Sequence, residues 1–386
     1  MISRPAAFLL GTVVILLAAC GKVPAPGGSV DRPPPVAGVP VGVFLSLTGP
    51  QGAFGQAALA GMNLAVAQWN AAGGISGKPV ALLVRDTESN PDRAATAVRE
   101  LVEKEMAVAV LGDMASESSL KAAPVAAELG IPMITPGSTH SDLTRIGPGI
   151  FRVCYADPFQ GRVMSKFASS IGVTAAAILF DPDEEYSTRL ASSFENDFVG
   201  RGGKIVAKET CRRGSKDFAL PLQAVKAAQP EVIFLPVYFS EAAAIIKQAR
   251  TLGIEQPFIG SDGWESPDFL SSGGDAVNNC YFTSHFSAGE PSEKTAAFVR
   301  AYREANGSDP LAFAALGYDA VNFLADGIRR AGSTEPAALQ AALAATNGLA
   351  GVTGTLTLDA DRNPSKSAII LRVSGGNFHY LETVAP

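Results

Sequence analysis

The sequence predicts an α/β fold of two open parallel sheets, and three observations carry that expectation. Short apolar runs alternate strictly with amphipathic helical segments from residue 39 onward. The rhythm halts near residue 151 and then restarts. The chain has 386 residues, too many for one small domain and enough for two.

Each element has a local reason. Residues 39–47 form a near-continuous apolar run between turn signals, which reads as a buried strand. Over 56–71, Leu59, Met62, Val66 and Trp69 recur at spacings of three and four, and Gly73-Gly74 stops the helix. Residues 80–86 are the next strand. Asn90-Pro91 supplies an N-cap and a first-turn proline for a helix to about 105. A strand at 108–112, a helix at 118–129 and a strand at 132–135 follow. Strict alternation implies right-handed crossovers and a parallel sheet covered on both faces.

After a short strand at 151–153 the pattern repeats. Helices are expected at 158–171, 187–199, 218–228 and 240–252, with strands at 173–180, 204–210, 232–235 and 257–260. Residues 291–306, 311–331 and 336–346 read as helices, and the tail as strands near 353–358, 368–373 and 378–383. Ligands on open sheets of this kind sit outside the carboxyl ends of the strands, so two facing sheets make a cleft.

Composition removes several function classes. The net charge is −6 and no basic cluster occurs, which argues against nucleic acid. Three histidines leave little material for a zinc site or a histidine-based enzyme, and no cofactor or metal is expected. Only residues 5–21 are uncharged and apolar enough to interest a membrane. Arg4 precedes an apolar core over 6–17, which ends in Leu17-Ala18-Ala19-Cys20. This run is short for a membrane span and fits a secretory signal over 1–19. The terminal tetrapeptide resembles the bacterial lipobox, in which the cysteine receives a diacylglycerol. Residues 20–38 are rich in proline and glycine and read as a lipidated tether. With Cys20 assigned to lipid, Cys154, Cys211 and Cys280 remain, and spacing leaves their three pairings open.

Catalytic motifs fail on inspection. Residues 73–79, GGISGKP, are one residue short of a phosphate loop and end in proline where a metal-binding hydroxyl belongs. GPGIFR at 147–152 breaks the dinucleotide pattern at its last glycine. No nucleophile elbow, H-E-x-x-H or C-x-x-C exists. His140, His285 and His379 are isolated and read as surface or hydrogen-bonding residues. Asp157-Pro158-x-Gln160 has the form of a capping box, with Asp157 as the cap. The chain is not expected to be an enzyme.

An ordered set of segments carries a resemblance. It includes SLTGPQGAFGQAALAGMNLAV (46–66), LGDMASESS (111–119), GIPMITPGSTHSDLT (130–144), FRVCYADPFQG (151–161), GSDGW (260–264) and ALGYDAVNFLADGI (315–328). Together they resemble the leucine/isoleucine/valine-binding family of type I periplasmic binding proteins, the solute receptors of ABC importers. The resemblance implies two open parallel-sheet lobes joined by three crossover strands. Lobe 1 would be 39–153 and 283–355, and lobe 2 would be 154–282 and 356–386. It implies an amino acid or similar small carboxylate (branched-chain, aromatic or related), held by closure of the hinge, with ABC-importer membrane subunits as partners. The protein would lie outside the cytoplasm, held to a bacterial membrane through acylated Cys20.

Carried over residue by residue, the resemblance assigns Ser116 and Thr139 to the ligand carboxylate, and the Gly137 carbonyl and Asp262 to its ammonium. Asp262 stands where the family often has the longer glutamate. Phe54, Tyr186, Tyr238 and Tyr318 match aromatic positions, and Trp264 lies two residues past Asp262. Cys154 and Cys280 fall on the first and second crossovers, so a disulfide between them is expected if those strands are neighbours, with Cys211 left unpaired. A second reading is a regulatory or sensor lipoprotein of the same fold that acts on a protein partner without transport. A third, a lipid-anchored hydrolase, is disfavoured by the failed motifs.

Overall fold

The structure is a computed structural model that describes residues 38–386. The signal, most of the tether and Cys20 lie outside the described residues.

Five strands form the first sheet: β1 (Val39–Leu45), β2 (Val80–Asp86), β3 (Val110–Gly112), β4 (Met133–Thr135) and β5 (Ile150–Arg152). Their order is β2-β1-β3-β4-β5 and every pairing is parallel. Helices α1 (Gly52–Ala71), α2 (Pro91–Glu103) and α3 (Ser116–Glu128) are the crossovers. Asn90 caps α2 as expected, its side chain accepting from the backbone N–H groups of Asp92 and Arg93.

The chain then leaves this sheet. α4 (Asp157–Ser170) packs on α5 (Glu185–Gly200), and between and after them come β6 (Ala175–Phe180) and β7 (Lys204–Thr210). α6 (Ala219–Ala227), β8 (Val232–Phe234), α7 (Phe239–Thr251), β9 (Phe258–Gly260), α8 (Pro267–Gly273) and β10 (Cys280–Ser284) complete this stretch. Next, α9 (Glu293–Asn306) and α10 (Ala312–Ala331) return to pack on α1, with α11 (Pro336–Ala344) against α10. A small hairpin of β11 (Leu349–Gly351) and β12 (Gly354–Leu356) stands apart from both sheets, where the sequence suggests one strand. Finally β13 (Ala368–Ser374) and β14 (Asn377–Val384) join the second sheet, whose order is β14-β13-β10-β9-β8-β6-β7.

The second sheet is therefore parallel only from β10 to β7. β13 runs antiparallel to β10, and β14 antiparallel to β13. Each sheet with its flanking helices is called a lobe below. The chain passes between the lobes three times: before α4, after β10 and before β13.

The first and third passages are fastened by a buried lysine. Lys366 Nζ donates to the Val153 carbonyl at 3.0 Å and also to Thr353 Oγ1. Thr353 in turn donates to Asp319 Oδ2 at 2.6 Å. Burial lowers the Lys366 ammonium to about 8.

Helices α1 and α10 approach until their backbones nearly touch. A Cβ placed on Gly61 would lie 1.8 Å from the Ala314 carbonyl oxygen, and one on Gly317 would lie 2.2 Å from that of Ala58. Glycine is required at this crossing for space.

The expected disulfide is absent. Cys154, Cys211 and Cys280 are all free and buried. Cys154 Sγ points to the Ser138 carbonyl at 3.3 Å. Cys280 opens β10 at the end remote from the second passage, about 13 Å of strand away from Ser284 at the usual rise. Cys154 lies at a passage and Cys280 does not, so the two sulfurs do not meet. Burial pushes all three thiols up to about 12, so they are inert packing groups.

Candidate ligand cleft between the lobes

The first-lobe wall is built by the turns after β3 and β4. Asp113, fully buried, fixes the first turn. Its Oδ2 accepts from Thr87 Oγ1 at 2.9 Å and Ser46 Oγ at 3.1 Å, and its Oδ1 accepts from the Met114 N–H at 2.5 Å. Thr135 Oγ1 and Ser138 Oγ both donate to the Asp113 carbonyl, which ties the two turns together. Ser116 is thereby set at the first position of α3. Its N-cap, Ala115, has no side chain able to cap the helix. The N–H groups of that first turn, the helix dipole and the Ser116 hydroxyl form an anion site without an arginine. Thr139 lies beside it, and its carbonyl accepts from the Asp157 N–H at 2.9 Å.

The second-lobe wall centres on Asp262, in the turn after β9. Tyr186, from the first turn of α5, donates to Asp262 Oδ1 at 2.8 Å. His285 Nε2 lies 2.9 Å from Asp262 Oδ2. The Asp262 N–H donates to Gln160 Oε1 at 2.9 Å. Tyr186 stacks on Tyr238, with ring centroids 4.7 Å apart and planes 5° from parallel. Phe54, reaching from α1, packs edge-on against Phe313 at 4.4 Å and Phe239 at 5.1 Å, and tilted against Tyr238 at 5.9 Å.

These walls enclose a narrow cavity of about 10 Å³, the room of roughly one water. Of the residues expected from sequence, Ser116, Gly137, Thr139 and Asp262 line its polar part, and Phe54, Tyr186 and Tyr238 its aromatic part. Two do not. Tyr318 faces a separate groove, where its hydroxyl donates to Gln68 Oε1 at 2.6 Å. Phe313, five residues earlier and on another face of α10, lines the cavity instead. Trp264 is fully buried in the second lobe, stacked on Phe269 at 5.1 Å beneath Gly260.

Sequence reasoning missed Met114, Gly263 and Phe313 on the cavity wall, and the supporting His285 and Gln160. Of the two readings offered for the histidines, His140 and His285 take the hydrogen-bonding one: both are buried, His140 Nδ1 accepting from the Asp142 N–H at 3.3 Å and His285 meeting Asp262. Only three-dimensional proximity links His285 to Asp262, since no motif spacing joins them.

Asp157 is also corrected. The N-cap of α4 is Ala156, and the Asp157 carboxylate makes no capping hydrogen bond. Its carboxyl is fully buried, which pushes it up to about 7; nearby Asp262 adds to the rise, and the neighbouring Thr139 hydroxyl and Arg152 oppose it. A raised folded-state value means that the native chain binds more protons than the unfolded chain between about pH 4 and 7. Stability from this group is thus present at low pH and lost as pH rises through 7. Asp157→Asn should therefore melt higher than the parent at pH 8, by up to about 4 kcal/mol, and lose that advantage near pH 4.5. Thermal unfolding at both pH values checks this, and parallel melting curves would refute it.

Comparison with known proteins agrees with this architecture. A sequence profile described as "Periplasmic binding protein" matches residues 38–377. The Leu/Ile/Val-binding protein homolog 2 of Brucella abortus is 30% identical over 354 residues, 90% of this chain and 94% of the relative. The leucine binding protein LivK of Thermotoga maritima superposes with a TM-score of 0.86 at 33% identity, covering 90% of this chain and 99% of that one. The branched-chain amino acid transporter substrate binding protein LivJ of Streptococcus pneumoniae, in complex with isoleucine, gives the same TM-score and identity over 90% of this chain and 100% of that one. With two lobes, three passages between them and a polar cleft at the strand ends, the chain belongs to the periplasmic binding protein family, among the Leu/Ile/Val-binding protein homologues.

Proposed function

We propose that the protein is the extracytoplasmic solute-binding component of an ABC importer and captures an amino acid between its lobes. One observation carries the reading. The uncapped start of α3 with Ser116 and Thr139 faces, across one small cavity, the carboxylate of Asp262. The first suits a carboxylate and the second an ammonium, the two ends of a zwitterion. Phe54, Met114 and Phe313 leave an apolar end for the side chain. The relatives' names point the same way.

The site residues are almost wholly buried, with Ser116 at 2%, Thr139 at 1% and Asp262 at 3% exposure. A ligand therefore enters only when the lobes part, and the three passages supply the hinge. We take the moving bodies as residues 39–153 with 283–355, and 154–282 with 356–386. Interlobe ion pairs such as Arg145 to Asp361 at 2.8 Å, Arg189 to Asp142 at 2.9 Å and Arg213 to Glu117 at 3.5 Å are largely exposed and add at most about 1 kcal/mol each to closure. Most of the closing energy comes from the ligand's own bonds to both walls. Lipid on Cys20 would hold the receptor at the membrane, near the importer's membrane subunits.

Titration of the twenty standard amino acids by calorimetry tests the reading. At least one should bind, and Ser116→Ala should weaken it by about 1–3 kcal/mol, the worth of a hydrogen bond to a charged group. Failure of all twenty to bind would sink the proposal, and the regulatory reading would take its place.

A further inference from the structure

Asp262 is not free to point where it chooses. Its two oxygens are taken by donors from different elements: Tyr186 of α5 on Oδ1 and His285, just after β10, on Oδ2. The imidazole is itself clamped. Its side chain is fully buried and stacks on Tyr155, with centroids 3.7 Å apart and planes 27° from parallel. A carboxylate can only accept, so His285 carries its proton on Nε2. Nδ1 is then a bare lone pair, and it has no hydrogen-bond partner among the described residues.

Resting on the amino-acid reading above, we infer that His285 is a positioning residue for ammonium recognition. As a neutral donor it orients Asp262 and leaves the carboxylate's negative charge available to the cavity. When Nδ1 takes a proton, the imidazolium and Asp262 become an internal ion pair, and the cavity loses its attraction for an ammonium. The receptor thereby releases its ligand as the surroundings acidify.

The groups around the imidazole favour the neutral form. Burial lowers its proton affinity, Asp262 from the turn after β9 raises it, and Lys366 from the third passage lowers it again. Tyr155 covers its face from the first passage. Further out, Asp157 and Glu265 lie near Asp262, and burial pushes both up to about 7. They too titrate in the relevant range, so the test must cancel them.

His285→Gln does so. Its amide can donate to Asp262 without titrating, and Asp157 and Glu265 are untouched. The tightest-binding of the twenty standard L-amino acids is titrated into parent, H285Q and H285F between pH 8 and 5. Parent affinity should fall roughly tenfold for each pH unit below the imidazole's titration, as the competent fraction shrinks. H285Q should lose the extra acid dependence, read relative to its own affinity at pH 7.5, whereas H285F should be weak throughout. The 2-hydroxy acid with the same side chain, which has no ammonium, should not share the parent's acid loss. An H285Q profile parallel to the parent's overturns the inference. So does an H285F that binds as tightly as the parent, or a hydroxy acid that weakens in step with the amino acid. If no amino acid binds even the parent at pH 7.5, the functional reading itself has failed; if binding persists and only the profiles disagree, the fault is confined to His285.

Discussion

Asp262→Asn should lower amino-acid affinity by about 3–5 kcal/mol, the cost of leaving a buried charge without its partner. That is a factor of roughly 100 to several thousand in Kd. The substitution keeps the size of the side chain. The new amide oxygen still accepts from Tyr186, and its NH2 can donate to His285 once the imidazole shifts its proton to Nδ1. The fold should therefore survive, and thermal melting near the parent's value is the control. Calorimetry then reads the loss of charge alone. Parent-like affinity in a folded D262N protein would remove Asp262 from the site.

The second large effect concerns stability. Gly61→Leu should cost about 3 kcal/mol or more, because the added carbons meet the Ala314 backbone rather than a side chain able to turn aside. Helices α1 and α10 would have to move apart. Urea unfolding should show a lower midpoint with an unchanged slope. The two helices also carry Phe54 and Phe313 to the cavity, so the same change should loosen the apolar end of the site. A parent-like midpoint would mean that the crossing is looser than the backbone contacts indicate.

These two residues illustrate what was legible in the chain and what was not. The first sheet was readable because a parallel strand buried on both faces becomes a plain apolar run, as in β1, and because Asn90-Pro91 announces a helix start locally. Asp262, Ser116 and Thr139 were reached through the ordered resemblance, each standing a few residues past the end of a strand. The partners of those residues were not legible. That β13 lies against β10, that His285 meets Asp262 and that Gly61 meets Ala314 are all matters of distant pairing. Local pattern says which residues are buried but not what buries them. The same gap explains the two misplaced aromatics: helical phase sends Phe313 rather than Tyr318 to the cleft, and Trp264 turns back into its own lobe. It also explains the disulfide, since the strand that carries Cys280 reaches the hinge only at its other end, Ser284.

The place of β13 in the second sheet has a consequence for how the protein is made. It sits between β10 and β14, as an interior strand supplied by residues 368–374. Until those residues leave the ribosome, β10 keeps an open edge and its lobe has an unfinished core. The first sheet, complete by residue 152, has no such wait, although its helices α9 and α10 also arrive late. Synthesis from the N-terminus therefore yields a long period in which one half has its strands and the other cannot close. A chain that must stay threadable until it has crossed a membrane gains from this delay, because the strand that locks the second lobe is among the last parts to be delivered.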